Sequence, residues 1–256
     1  MKKFMTLAAI FAATMMSFTA CEDTTKPDNG GDEVVTCPDC GQPEADCTCN
    51  DYTSPITIDA DFSDWAALDA SKVATCKTDA DAKYPALKVL KVYADDVYVN
   101  VYFEFDEEYI TDVEYVPFHV YLDCDGSTAT GGFGDQWTDA ATDYCLEGAV
   151  IEAGEFCSYD PGLYGWIGEV SGTGWEWTEP SILSSGSGIG NGTGAGNKYE
   201  FALLREMLMG VELADTFGIG VDIQQDWSSV GILPNTAVTD TNTNGLVDML
   251  KVTVVK

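Results

Sequence analysis

From Ile56 onward, apolar and polar residues alternate with a period of two, in short runs broken by Gly, Asp and Asn. Val97, Val99, Val101, Phe103 and Phe105 share one face, and Tyr98, Asn100, Tyr102 and Glu104 share the other, because successive strand side chains point to opposite sides. Residues 87–93 form a similar run, and Asp95-Asp96 between the two supplies turn chemistry, so the pair predicts a β-hairpin. Further strands are predicted over 118–123, 143–151, 163–169, 175–177, 198–203, 217–223 and 250–254. One short helix is expected over 204–209, stopped by Gly210. Residues 184–196 read as a Gly/Ser-rich loop; a strand follows them where a dinucleotide-binding fingerprint would need a helix. Many short strands with so little helix indicate an all-β fold, an antiparallel β-sandwich over residues 51–256. That length is enough for one domain with a sizeable core.

The chain before this region has a different texture. Lys2-Lys3, an apolar stretch from Phe4 to Met16 and the run Ser17-Phe18-Thr19-Ala20-Cys21 have the layout of a bacterial lipoprotein signal. The apolar stretch falls short of the roughly 20 residues that a membrane-spanning helix needs. Residues 1–20 are therefore expected to be removed, leaving Cys21 acylated (palmitate among the chains) and the mature chain tied to a lipid surface. Residues 21–36 are polar and acidic, with Pro27 and Gly30-Gly31, and read as a disordered tether. The acidic residues that follow Cys21 at once match a cue for transport to the outer face of the outer membrane.

Residues 37–50 hold Cys37, Cys40, Cys47 and Cys49, too short a stretch for a hydrophobic core, so a metal or covalent bonds must organise it. Cys37-Pro38-Asp39-Cys40-Gly41 fits a zinc knuckle, and two disulfides suit an oxidising exterior equally well. Cys76, Cys124, Cys145 and Cys157 lie within the sandwich region; Cys145 with Cys157 is the first pairing to expect, and buried free thiols are the alternative.

Charge narrows the function classes. The chain has 43 acidic residues against 12 basic ones, a net charge of −31, and it loses Lys2 and Lys3 with the signal. Such a chain repels nucleic acid and anionic lipid head groups and cannot build phosphate-binding clusters. A single histidine, His119, limits general-base and metal chemistry and is expected to make an ordinary side-chain hydrogen bond. No Gly-x-Ser-x-Gly elbow or His-Glu-x-x-His motif is present, and with so many carboxylates a hydrolase-like pair would arise by chance. A binding module without an organic cofactor is the expected class, ahead of a structural or interaction subunit of a surface complex and, more distantly, a glycoside hydrolase.

Ile56-Thr57-Ile58-Asp59-Ala60-Asp61-Phe62-Ser63-Asp64-Trp65 resembles the opening of family-9-type carbohydrate-binding modules and the wider DOMON-like group, with Ala60 where glycine is usual. The resemblance continues through Ala94-Asp95-Asp96-Val97-Tyr98-Val99, Tyr121-Leu122-Asp123-Cys124-Asp125-Gly126, Thr130-Gly131-Gly132, Asp143-Tyr144-Cys145-Leu146-Glu147-Gly148, Tyr199-Glu200-Phe201-Ala202 and Gly231-Ile232-Leu233-Pro234. It implies a jelly-roll-like sandwich, a core position for Trp65, and sugar recognition on a solvent-facing aromatic surface. It also implies structural calcium, with Asp123 and Asp125 as ligands. The group's haem branch needs axial ligands, and His119 has no partner in sequence beyond Met207 or Met209.

Sugar binding requires flat aromatic faces beside hydrogen-bonding side chains. Trp175 and Trp177 would face the same way on a strand, about 7 Å apart. Trp137, Tyr159, Tyr164 and Trp166 lie nearby in sequence, interleaved with glycines expected to leave rings exposed, and Glu169, Glu176, Glu179 and Asp226 can take hydroxyls. The expected contact residues are Trp137, Tyr164, Trp166, Trp175 and Trp177, and the expected partner is a polysaccharide or oligosaccharide, with the lipoprotein an accessory to a surface uptake complex. A second oxygen-rich run, Asp240-x-Asn242-x-Asn244-Gly245-x-x-Asp248, matches half of an EF-hand loop but has Lys251 where the bidentate acid belongs. Asx-rich turns account for both oxygen-rich runs as well.

Overall fold

The computed structural model describes residues 52–133, 136–157, 162–179, 181–182 and 192–256. The expected signal and Cys21, the tether, the four-cysteine segment and Tyr159 lie outside the described residues. Ser54–Lys256 forms one compact unit.

Its strands in chain order are β1 (Ala74–Lys77), β2 (Leu87–Ala94), β3 (Tyr98–Phe105), β4 (Tyr115–Asp123), β5 (Tyr144–Glu152), β6 (Glu155–Phe156) and β7 (Gly162–Gly165). There follow β8 (Ser181–Ile182), β9 (Gly192–Ala195), β10 (Lys198–Leu204), β11 (Thr216–Gln225), β12 (Ser228–Leu233) and β13 (Leu250–Thr253). They make two antiparallel sheets, a first in the order β1-β2-β3-β10-β9 and a second in the order β12-β11-β4-β5-β7-β8, with β13 beside β11 and β6 beside β5. The predicted hairpin is β2–β3, and the Asp95 carboxylate accepts from the amides of Val97 and Tyr98 at 2.8 and 2.9 Å.

The sheets pack face to face around one apolar core. Val99, Val101, Phe103 and Phe105 of β3 and Tyr199, Phe201 and Leu203 of β10 face Val116, Phe118, Val120 and Leu122 of β4 and Phe217, Ile219, Val221 and Ile223 of β11. The outer faces are not simply wet. On the first sheet Ile56 and Trp65 cover Tyr93 and Tyr102; on the second, Trp137 and Trp177 cover Tyr121 and Cys145. Central strands buried on both sides therefore carry apolar residues at consecutive positions, which blurs the period of two.

The opening segment is fastened to the first sheet by one carboxylate. Glu200 of β10 points outward but is fully buried, and accepts from the amides of Asp59 (3.1 Å) and Ala60 (2.9 Å) and from the indole N–H of Trp65 (2.8 Å). Trp65 lies in a short helix, α1 (Ser63–Ala67), which the sequence pattern does not announce. Ala60 takes φ 65°, the left-handed conformation that glycine adopts without strain.

Several local expectations are corrected. Residues 204–209 contain only a 3₁₀ turn, Arg205–Met207, because Leu203 and Leu208 enter the core from either side. The run 175–177 is not a strand; Trp177 meets Trp166 in a single bridge. The strand expected over 163–169 ends at Gly165. Within the Gly/Ser-rich stretch, Gly192–Ala195 pairs with β10. Cys76, Cys124, Cys145 and Cys157 are free thiols. Cys145 cannot reach Cys157: the amide of Cys157 bonds the carbonyl of Val150, about 17 Å along β5 from Cys145, and disulfide Cα atoms stay within about 7 Å. Burial pushes the Cys76 thiol up to about 12 and the Cys157 thiol up to about 11, so neither is a ready nucleophile.

Candidate ligand cavity and cation cluster

The outer face of the second sheet carries two rows of side chains across β11, β4 and β5. Register places Asp222, His119 and Glu147 in one row and Gly220, Tyr121 and Cys145 in the next. Where the covering layer of Trp137 and Trp177 ends, a cavity of about 420 Å³ opens over His119 and Tyr121. Glu147, Gln136 and Gln224 complete its floor, and Phe133, Trp175 and Trp227 form its sides.

Two of these rings reach into solvent: Trp175 is 51% exposed and Trp227 60%. Both pack against His119, with ring centroids 5.6 and 6.4 Å away, and Trp175 also meets Phe133 edge-on at 5.1 Å. Trp227 is held out by strained backbone. It follows Asp226 in the two-residue turn between β11 and β12, and the two residues take φ 60° and 48°. A turn with both central residues left-handed normally selects Asn-Gly or Asp-Gly, so an indole there is unusual.

The floor is a connected polar network. His119 Nε2 lies 2.8 Å from Glu147 Oε2, and the Tyr164 hydroxyl donates to Glu147 Oε1 at 3.3 Å. The bond from His119 holds the Glu147 carboxyl below its ordinary range, against the opposing effect of burial. An ionised carboxylate only accepts, so His119 Nε2 carries the proton of this bond. Asp222 is fully buried, and its Oδ2 accepts from Gln224 (2.7 Å), Ser229 (2.9 Å) and Gln136 (3.2 Å). Burial pushes the Asp222 carboxyl upward, partly offset by these bonds. Three buried atoms of this network, His119 Nδ1, Gln136 Oε1 and Asp222 Oδ1, have no hydrogen-bond partner among the described residues.

The aromatic residues expected at a binding surface separate into two groups. Trp175 lies at the cavity, and Tyr164 supports Glu147 from beneath. Trp137 is 3% exposed and donates its indole N–H to the Pro234 carbonyl at 3.2 Å, and Trp177 is 8% exposed under Trp175. Trp166 is half-buried, with its indole N–H on the Glu169 carbonyl. Glycines do the opposite of exposing these rings. A Cβ on Gly220 would stand 2.2 Å from the Trp137 ring and one on Gly132 2.3 Å from the Trp166 ring, so each glycine seats a tryptophan flat on the sheet or loop beneath it. The cavity's carboxylate is Glu147 rather than Glu169, Glu176, Glu179 or Asp226. Sequence reasoning missed Trp227, Phe133, Glu147, Gln136 and Gln224 at this site and gave His119 only an ordinary hydrogen bond. The usable signal was Gln225-Asp226-Trp227-Ser228, since a tryptophan at a hairpin tip cannot reach the core.

At the end of β4, Asp123 and Asp125 are joined by Asp143, which precedes β5, and one oxygen of each lies within 4.8 Å of the others. Asp123 accepts from the Gly126 amide, Asp143 from the Cys124 amide, and Asp125 from Ser127 and Thr130. Burial, reinforced by the two neighbouring carboxylates, pushes the Asp143 carboxyl up to about 6; burial also raises Asp123. Three acidic groups so close, two of them buried, can coordinate a cation, with hard oxygen donors only. The Asp240–Asp248 run is instead engaged internally: Asn242 bonds both backbone groups of Leu246, Asn244 takes Lys83, and Asp248 takes Thr138. Neither a protein-family model nor a curated protein matches the chain.

Proposed function

We propose that this protein is a non-catalytic glycan-binding module, displayed at the outer surface of the cell by a lipid anchor at Cys21. The observation that carries the reading is the pair of half-exposed indoles, Trp175 and Trp227, standing over a polar floor in a cavity of about 420 Å³. Sugar rings present apolar C–H faces to aromatic rings and hydroxyls to carboxylates and amides, and this cavity offers both. The resemblance of residues 56–256 to family-9-type carbohydrate-binding modules, with their jelly-roll sandwich, supports the same reading. We assign calcium to the Asp123–Asp125–Asp143 cluster, because its donors are all carboxylate oxygens, and zinc or two disulfides to Cys37, Cys40, Cys47 and Cys49. Both are structural roles, and a place beside a polysaccharide-uptake complex fits the acidic, lipid-tethered chain.

Affinity gels and glycan arrays probed with the chain from residue 22 onward test the reading. Retention by at least one polysaccharide is expected, with Trp175→Ala and Trp227→Ala each weakening it about tenfold or more, in line with the loss of one ring contact. A folded protein retained by no polysaccharide would sink it. A structural or interaction subunit is the second reading, favoured by the burial of Trp137 and Trp177 and the exposure of Ile167 and Val170. It would be supported by capture of a protein partner that survives both tryptophan substitutions.

A further inference from the structure

We infer that the cavity under Trp175 and Trp227 selects glycans without anionic substituents, and that Glu147 is the residue that imposes this choice. The inference rests on the glycan reading and adds the chemical class of sugar.

Its basis is the polarity of the floor. Glu147 is ionised, being held so by the proton on His119 Nε2, and both its oxygens are acceptors. Gln136 and Gln224 each give one amide N–H to Asp222 Oδ2, which turns their carbonyl oxygens the other way. Gln136 Oε1, a buried atom with no hydrogen-bond partner among the described residues, is likewise an acceptor. Among the described residues that line the cavity there is no lysine or arginine. Acceptors on the floor are complementary to the O–H donors that every uncharged sugar carries. A uronate or sulfate ester brings a negative charge to the same place, beside the Glu147 carboxylate and with no lysine or arginine among the described lining residues to pair with it.

Charge at a distance works the same way. The chain as a whole carries −31, so an anionic glycan is opposed both at the floor and during approach. Desolvation sharpens the local effect, because a sugar seated between two indoles displaces the water that would screen Glu147. Glu147 acts here as a specificity-determining residue, and His119, behind it, as a positioning residue.

The test compares cello-, manno- and galacto-oligosaccharides, each beside its C6-carboxylated form, by calorimetry with the chain from residue 22 onward at low ionic strength. Binding of at least one neutral series is expected, with its carboxylated form about tenfold or more weaker and the gap shrinking as salt rises. Glu147→Gln keeps the side chain's size and its contacts with His119 and Tyr164; with circular dichroism confirming the fold, it should narrow the gap about tenfold. A carboxylated series bound as tightly as its neutral parent, or a gap untouched in Glu147→Gln, overturns the charge selection while leaving glycan binding standing. Absence of binding to either form of all three series, and to every glycan on the array, removes the glycan reading and this inference with it.

Discussion

At position 227 the usual order of alanine and glycine should reverse. Elsewhere on a strand or helix, glycine is less stable than alanine by about 0.5–1 kcal/mol, because its unfolded chain is freer. Trp227 sits at φ 60°, where a Cβ costs roughly 1–2 kcal/mol. Trp227→Ala and Trp227→Gly both lose the ring and its contacts with Tyr115, at 5.7 Å, and His119. That common loss is about 1 kcal/mol, modest because the ring is more exposed than buried. What separates the two variants is the Cβ alone. Relief of strain exceeds the entropic cost, so Trp227→Gly should be more stable than Trp227→Ala by about 0.5–1 kcal/mol. Urea denaturation followed by far-ultraviolet circular dichroism measures this without relying on the removed fluorophore. Thr75, exposed in β1, is the control and should show the ordinary order. If Trp227→Ala equals or surpasses Trp227→Gly, the turn is not strained as described and the account of how the indole is held over the cavity fails.

Glu200→Ala should cost about 3 kcal/mol or more in urea denaturation, because it strands the buried Trp65 indole N–H along with two backbone amides, and Glu200→Gln about 1–2 kcal/mol. A loss below 1 kcal/mol in the alanine variant would show that the opening segment is held by something else. Asp143 predicts a pH signature. Its carboxyl titrates at about 6 in the fold against 3.8 ordinarily, so the folded chain holds a proton that the unfolded chain has released, and this group's contribution to stability falls as pH rises through that window. The ionised form then costs on the order of 3 kcal/mol at neutral pH, and calcium should raise the melting temperature near neutrality and have little effect below about pH 4. Asp143→Asn should flatten both trends; a melting temperature indifferent to calcium at every pH would exclude the cation.

The strands that form the core were legible because Val99, Val101, Phe103 and Phe105 alternate cleanly and the Asp95-Asp96 turn fixes their hairpin. β1 was not, since its four residues alternate between half-buried and exposed with only Ala74 and Cys76 packed inward. The tryptophans were harder for a different reason. Period-two logic assigns Trp175 and Trp177 to one face, but it applies only in a strand, and this segment crosses the sheet as a covering layer with one indole up and one down. The cavity's floor could not be seen at all from local spacing. Asp222, His119 and Glu147 are neighbours only through the register of β11, β4 and β5, and the same is true of Asp143 beside Asp123.

The two outer faces of the sandwich divide its labour by direction. Residues 56–65 enter the domain across the outer face of the first sheet, clamped by Glu200, while the cavity opens on the outer face of the second. Residues 56–65 and the tryptophan-lined mouth are thus separated by the full thickness of two sheets. A ligand seated under Trp175 and Trp227 would leave the Glu200 clamp untouched, so the fastening of the opening segment and the shape of the cavity can be altered independently of one another.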